Sequence, residues 1–229
     1  MCADVVASRR QPERTAAFLD RLPAILATAA GSGLVRPFAP VRGDEVEGLL
    51  APGSDPFRPI VAAALEPDGL ALRWAVVAGE RSTAPILAAA EIPLLKARGE
   101  RLVVITGDPR TDALLVDLVP LLDALAGDMT SRQRDIARRI LVEGRRQAAV
   151  AAELGVSRAT ISVAVGRGRL RDLERAMHGL HGLSLCGIAA AERHEPGRPG
   201  VAGDERLGAS DGPRAASQER LVPNGGIAG

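Results

Sequence analysis

Apolar positions in the first 126 residues form short runs typical of strands and longer stretches with helical spacing. The pattern predicts strands at 3–6, 35–41, 46–50, 70–77 and 102–106, and helices at 13–30, 55–65, 84–97 and 110–125. Pro37 and Pro40 place the second strand at a sheet edge, because proline cannot donate to a central ladder. The turn 42–45 then joins this strand to the next as a hairpin. The order βαββαβ, extended by a further helix and strand, is a ferredoxin-like pattern, and we expect its helices to cover one face of the sheet.

Helical spacing takes over after residue 130. Thr130 is suited to cap a helix at 131–143, and a second helix at 147–154 precedes a turn that ends at Ser157. Gly155 permits the positive φ of that turn, and Ser157 is suited to cap a third helix that begins at Arg158. Ala151 lies where two crossing helices need a small residue, and the residues expected to point inward are Val150, Leu154, Val156, Ile161 and Ala164. The segment therefore predicts a helix-turn-helix, with an ordinary helical hairpin as the alternative.

The outward face of the third helix carries residue types that suit the major groove of DNA. Arginine can bind guanine, serine can reach several acceptors, and small apolar groups can contact the thymine methyl. We therefore expect DNA binding by the cap and outward face, together with flanking arginines that contact phosphates: Ser157, Arg158, Ala159, Thr160, Ser162, Val163, Arg145, Arg146, Arg167 and Arg169.

The last part of the chain divides into a helix and a tail. A helix at 170–180 aligns Leu170, Leu173, Met177 and Leu180, for which packing is the favoured interpretation and dimerisation the alternative. The segment 182–229 is rich in Gly, Pro, Ala and Arg with little periodic apolar content, and we expect it to be disordered. The predicted α+β organisation is a sensor or scaffold domain at 1–126, a helix-turn-helix domain at 130–180 and the tail.

Charge distinguishes the two predicted domains. Residues 1–126 carry 13 basic and 16 acidic side chains, whereas residues 130–178 carry 11 arginines and 5 acidic side chains. A basic module on an acidic body is typical of a protein in which one part contacts nucleic acid. Aromatic residues are only 2% of the chain, which argues against the base-stacking surfaces of RNA and single-strand binders.

Other composition features narrow the function class. Lys96 is the only lysine and does not follow a glycine, so a P-loop is excluded. Cys2 and Cys186 form no disulfide framework, and no apolar run reaches the roughly 20 residues that span a bilayer. We therefore expect a cytoplasmic protein without a membrane partner. His178, His181 and Cys186 match no standard zinc spacing.

Two family resemblances refine this interpretation. The stretch TSRQRDIARRILVEGRRQAAVAAELGVSRATIS resembles the helix-turn-helix of LuxR-type regulators and sigma factors. Together with ADVVASR near the start and RGDEVEGLL about forty residues later, LGVSRATIS resembles the bacterial SatD family over roughly residues 1–180. That resemblance implies an N-terminal domain distantly similar to the palm fold of nucleotide cyclases and GGDEF proteins.

The SatD resemblance also implies an acidic pair. This pair would be Asp4 and Asp44, with Ser8 and Arg9 beside Asp4, and it could hold Mg²⁺ or Mn²⁺. Only three residues precede Asp4, so we expect the first strand to be shorter than in the family. A hairpin turn at Asp44 and a solvated strand end at Asp4 are the favoured interpretation, and we expect no catalytic residues.

Two function classes follow from these patterns. The first is a transcriptional regulator that binds double-stranded DNA, with the N-terminal domain as a homo-oligomeriser or as a sensor of a nucleotide or small-molecule ligand. The alternative is a metal-dependent nucleotide-binding or nucleotide-processing protein with an accessory DNA-binding module.

Overall fold

The computed structural model describes residues 1–194. Five strands form one sheet in the order β2-β3-β1-β4-β5. Their bounds are β1 Cys2–Val5, β2 Leu34–Arg42, β3 Glu45–Leu50, β4 Leu72–Val77 and β5 Leu102–Ile105. β1 pairs antiparallel with β3 and β4, β2 pairs antiparallel with β3, and β5 pairs parallel with β4. This order confirms the ferredoxin-like α+β prediction, and the proline-containing strand β2 lies at a sheet edge.

Nine α-helices connect or follow these strands in the described part of the chain. Their bounds are α1 Pro12–Ala30, α2 Phe57–Ala64, α3 Ala84–Arg98, α4 Pro109–Leu118, α5 Pro120–Gly127, α6 Ser131–Ala137, α7 Gln147–Glu153, α8 Arg158–Arg167 and α9 Leu170–His194. α6 continues as a π-helical turn at Arg138–Val142, and short 3₁₀ turns lie at Ser8–Arg10 and Gly31–Gly33.

Helices cover both faces of the sheet, so the expectation of a single covered face is wrong. Ala3 and Trp74 belong to the larger apolar core, which contains residues of α1 and α2. Cys2 and Ala75, the next residues along the same strands, pack instead with Ile92 of α3. Successive side chains of a strand point to opposite faces. Because β4 is apolar on both faces, each face needs a helix to remove it from water.

Two predicted helices end at different places in the structure. The predicted helix 110–125 is two helices, α4 and α5, and α5 begins at Pro120. Proline lacks the N–H that would continue the hydrogen bonding of α4. The predicted helix 170–180 extends to His194, so residues 182–194 are helical, and the expectation of disorder from residue 182 is wrong for this stretch. The remainder of the predicted tail, 195–229, lies outside the described residues.

The described residues belong to one compact unit. A single cluster of buried apolar side chains extends from Phe18 and Trp74, beside the sheet, to Ile161 and Leu173 near the C-terminal helices. α9 packs against α4, α5 and α8. The division into domains at 1–126 and 130–180 stays a prediction.

Among residues 1–194, one bent helix pair has the length and composition of a membrane-spanning segment. No single helix in the described region is long and apolar enough to cross a bilayer. The pair α7 and α8 meets that criterion by length and composition alone, with a bend of 113° between the helices.

Candidate nucleic-acid interface

α7 and α8 are joined by a tight turn and cross steeply. The chain bends by 113° between them, within the range of about 90–120° that is typical of a helix-turn-helix. Gly155 has φ 62°, the left-handed conformation that glycine adopts without a steric penalty. The Ser157 hydroxyl accepts a hydrogen bond from the backbone N–H of Thr160 at 3.1 Å and so caps α8. The sequence predicted both the glycine turn and the serine cap.

Buried side chains hold this helix pair in place. Val150 and Ile161 have no exposed surface, and Ala151 is buried where the helices approach each other. Leu154, Val156 and Ala164 are partly buried against the same core. Val165 is also buried, although it was not among the predicted inward residues. Its position four residues after Ile161 was the helical signal that could have identified it.

Neighbouring helices support the pair on both sides. Thr130 and Gln133 form a capping box at the start of α6: the Thr130 N–H donates to Gln133 Oε1 at 2.8 Å, and the Gln133 N–H donates to the Thr130 hydroxyl at 3.3 Å. In α9, the aligned residues Leu170, Leu173, Met177 and Leu180 are all buried within the chain. This burial confirms packing as their role and leaves the stripe unavailable as a dimer interface.

The outward surface of α8 is fully available to a partner. All the residues predicted to read or approach DNA are exposed: Ser157, Arg158, Ala159, Thr160, Ser162, Val163, Arg167 and Arg169, together with Arg145 and Arg146 before α7. Val163 is 53% exposed, although valine is an apolar residue. An exposed valine beside serine and alanine suits contact with a thymine methyl.

The predicted phosphate-binding arginines differ in their surroundings. Arg145 pairs with Glu153 at 2.7 Å and with Glu143 at 3.5 Å. Arg169 adopts φ 52°, which is uncommon for a residue with a side chain, and pairs with Asp172 at 2.9 Å. Within residues 1–194, Arg146, Arg158 and Arg167 form no salt bridge.

Acidic side chains of this region are neutralised internally. Asp135 pairs with Arg138 and Arg139, Glu143 pairs with Arg138, and Glu153 pairs with Arg139. Hydrogen bonds to Asp135 are the main cause that raises the pKa of Arg139 above its ordinary value. Arg146, Arg158 and Arg167 therefore carry positive charge that no salt bridge neutralises within residues 1–194. They lie within or just before the α7–α8 pair.

The predicted acidic pair lies in the N-terminal sheet. Asp4 is opposite Glu45 in the β1–β3 ladder, and the N–H of Val5 donates to the Asp44 carbonyl at 3.3 Å. The Asp4 side chain is 9% exposed, and its carboxylate accepts a hydrogen bond from Arg73 Nη1 at 3.1 Å. Burial, and then the charge of Asp44, raise the pKa of Asp4, and the Arg73 hydrogen bond partly offsets that rise.

Sequence reasoning did not find Arg73. Its guanidinium forms a salt bridge with the Asp4 carboxylate at 3.1 Å. Ser8 and Arg9, the implied neighbours of Asp4, lie in the 3₁₀ turn after β1. The described residues contain no cluster of three or more His, Cys, Asp or Glu side chains suited to hold a metal.

Comparison with known families bears on the C-terminal helices. Residues 122–177 match the family described as KORA, TrfB plasmid transcriptional repressor. The match supports a DNA-binding transcriptional regulator. It covers α6, α7 and α8 in full, with parts of α5 and α9, and less than half of the chain. Searches of curated proteins and of solved structures found no match. The SatD resemblance and the nucleotide-processing alternative gain no support from these comparisons.

Proposed function

We propose that this protein regulates transcription in the cytoplasm by binding double-stranded DNA, with α7 and α8 as a helix-turn-helix and α8 in the major groove. The observation that carries the proposal is the match of residues 122–177 to a transcriptional repressor family over the helices that expose the groove-suited surface. The capped N-terminus of α8 adds a favourable site for a DNA phosphate.

One set of side chains contacts the bases, and a second set contacts the phosphates. Arg158, Ala159, Ser162 and Val163 contact base edges, and Ser157 and Thr160 lie at the helix start near the backbone. Arg146 and Arg167 bind phosphates, and Arg169 contributes less than these two because it already pairs with Asp172. Arg145 contributes less than Arg146, because two carboxylates already neutralise its guanidinium. The N-terminal domain serves for oligomerisation or for ligand sensing.

The first test separates base recognition from phosphate binding. A preferred site is selected by enrichment from a random duplex library, and the affinity for this site and for a scrambled duplex is then measured by fluorescence anisotropy at several salt concentrations. We expect Arg158→Ala to cost about 1–3 kcal/mol on the preferred site and much less on the scrambled duplex, since a lost bidentate base contact is sequence-specific.

Arg146→Ala gives the matched comparison. We expect it to weaken both duplexes alike and to reduce the salt slope by about one counterion, because phosphate neutralisation releases cations whatever the base. Arg145→Ala should change the slope less, and Arg21→Ala, on α1, should change neither quantity. Absence of duplex binding by the wild-type protein at low salt would refute the proposed function.

A further inference from the structure

A cavity of about 220 Å³ lies between the N-terminal sheet and the helices that lead into the proposed DNA-binding region. Its walls come from α2, the start of β4, α5 and α6. Leu72, Trp74 and Leu122 give it an apolar interior, and all three side chains are buried. These side chains form one apolar wall of the cavity.

Charged groups at this cavity have a net positive balance. Arg101, Asp123 and Arg134 line it, and Arg101 pairs with Asp123 at 2.9 Å. This pair leaves Arg134 as the cation without a carboxylate among the described lining residues. A bound anion would neutralise the positive charge of Arg134.

Arg134 also has an unused donor. Its Nη2 donates to the Gly127 carbonyl at 3.3 Å, whereas its Nε is buried and has no hydrogen-bond partner among the described residues. Because Nε has no accessible surface, a ligand in the cavity can reach only the terminal N–H groups of the Arg134 guanidinium. Arginine binds carboxylates through paired N–H groups, so a carboxylate is the acceptor that best fits.

We propose that this cavity binds a small organic carboxylate, with the carboxylate at Arg134 and a compact apolar body against Leu72, Trp74 and Leu122. An apolar cavity of about 150 Å³ is large enough for benzene. The cavity here therefore accommodates a ligand of about ten non-hydrogen atoms.

The position of Arg134 connects this ligand to DNA binding. Arg134 belongs to α6, and the following residues Ile136 and Ala137 pack in the same apolar core as Ile161 of α8. A ligand that fixes Arg134 thereby changes the relative stability of the conformations available to α6 and α8. This regulatory part rests on the proposed function, whereas ligand binding itself does not.

Benzoate is the probe for the site, and benzamide is its neutral counterpart of similar shape. Trp74 is the only tryptophan and lines the cavity, so binding there changes tryptophan emission. With the full chain, we expect benzoate to change this emission saturably and to raise the melting temperature by about 2–6 °C at ten times its Kd. Benzamide should cause neither change, because it is neutral and cannot form an ion pair with Arg134.

Arg134→Gln should weaken benzoate binding at least tenfold, and Arg132→Gln, an exposed arginine on the same helix, should leave it unchanged. The melting temperature without ligand shows whether each variant is folded. If Arg134→Gln fails to fold, discrimination between benzoate and benzamide by the wild type decides the question. No benzoate-dependent emission change, or an equal response to benzamide, would overturn the site.

The regulatory part has its own readout. We expect saturating benzoate to change the Kd for the selected duplex at least threefold, and benzamide to have no effect. An unchanged Kd with benzoate bound would overturn the regulatory part alone. Loss of DNA binding with or without benzoate would instead count against the proposed function and leave the ligand site standing.

Discussion

The two cysteine thiols differ in reactivity because one is buried and the other is exposed. Cys2 lies in β1, is 1% exposed and packs beneath α3, whereas Cys186 is an exposed residue of α9. Burial, followed by the carboxylates of Glu45 and Glu47, raises the pKa of the Cys2 thiol to about 12. The thiolate is the reactive form of cysteine, so Cys2 stays protonated and inert at any pH well below that value.

This difference predicts two separate reaction phases with an aromatic disulfide reagent. We expect the native protein to release one equivalent of thiolate at once, from Cys186, and a second equivalent only after denaturant is added. Raising the pH from about 7 to about 9 should not move Cys2 into the first phase, because its pKa of about 12 keeps the thiol protonated. Cys186→Ser should abolish the fast phase. Two fast equivalents from the wild type would show that Cys2 is accessible in the folded state.

At the scale of single elements, local signals in the sequence identified most of the fold. Strand alternation, the prolines of β2, the glycine turn and the Ser157 cap each depend on a residue and its near neighbours. α9 was harder to predict, because its second half is stabilised by packing against distant residues. Gly187 lies against Thr106 and Thr111, which the chain places about eighty residues earlier. No periodic apolar pattern marks that contact, and the small residues of this stretch by themselves predict disorder.

The same contact gives a stability prediction. A Cβ on Gly187 would lie 2.7 Å from Thr111 Cγ2 and closer still to the Thr106 hydroxyl, which donates to Asp112 at 2.7 Å and so is held in place. We expect Gly187→Ala to destabilise the protein by about 1–3 kcal/mol through overpacking, measured by chemical denaturation. Gly179→Ala is the matched control on the same helix, since nothing lies within 4 Å of its added Cβ. It should stabilise α9 by up to about 1 kcal/mol. Equal effects of the two substitutions would contradict the contact.

The candidate site was predictable for a related reason. The residues that shape α7 and α8 lie within one short stretch of sequence, and their exposure follows from helical spacing once Ile161 points inward. Ion pairing was not predictable in the same way. The pairing of Arg73 with Asp4 joins residues on different strands, and the pairing of Arg145 with Glu153 depends on the fold of the turn before α7. Sequence patterns identify charged residues but do not say which of them neutralise each other.

On the scale of the whole molecule, the larger of the two apolar cores extends from the sheet to the C-terminal helices. Ile161 of α8 and Trp74 of β4 belong to the same cluster of buried side chains, and α9 contacts both α8 and the helices after β5. When one part unfolds, apolar surface of the other part becomes exposed to water. A shared core therefore favours unfolding of both parts in one transition. We therefore expect the predicted domains 1–126 and 130–180 to unfold together.

Trp74 and the helices report on different parts of this unit, which makes that expectation testable. Trp74 lies in the sheet, and its fluorescence follows the N-terminal part, whereas far-UV circular dichroism follows all the helices. In the wild type, the two thermal transitions should coincide. Ile161→Ala removes a fully buried side chain from α8 and should cost about 2–5 kcal/mol. Because 1 kcal/mol corresponds to about 2–4 °C for a unit of this size, both transitions should fall together by several degrees. An earlier loss of helical signal with the Trp74 transition unmoved would show instead that the C-terminal helices fold as an independent domain.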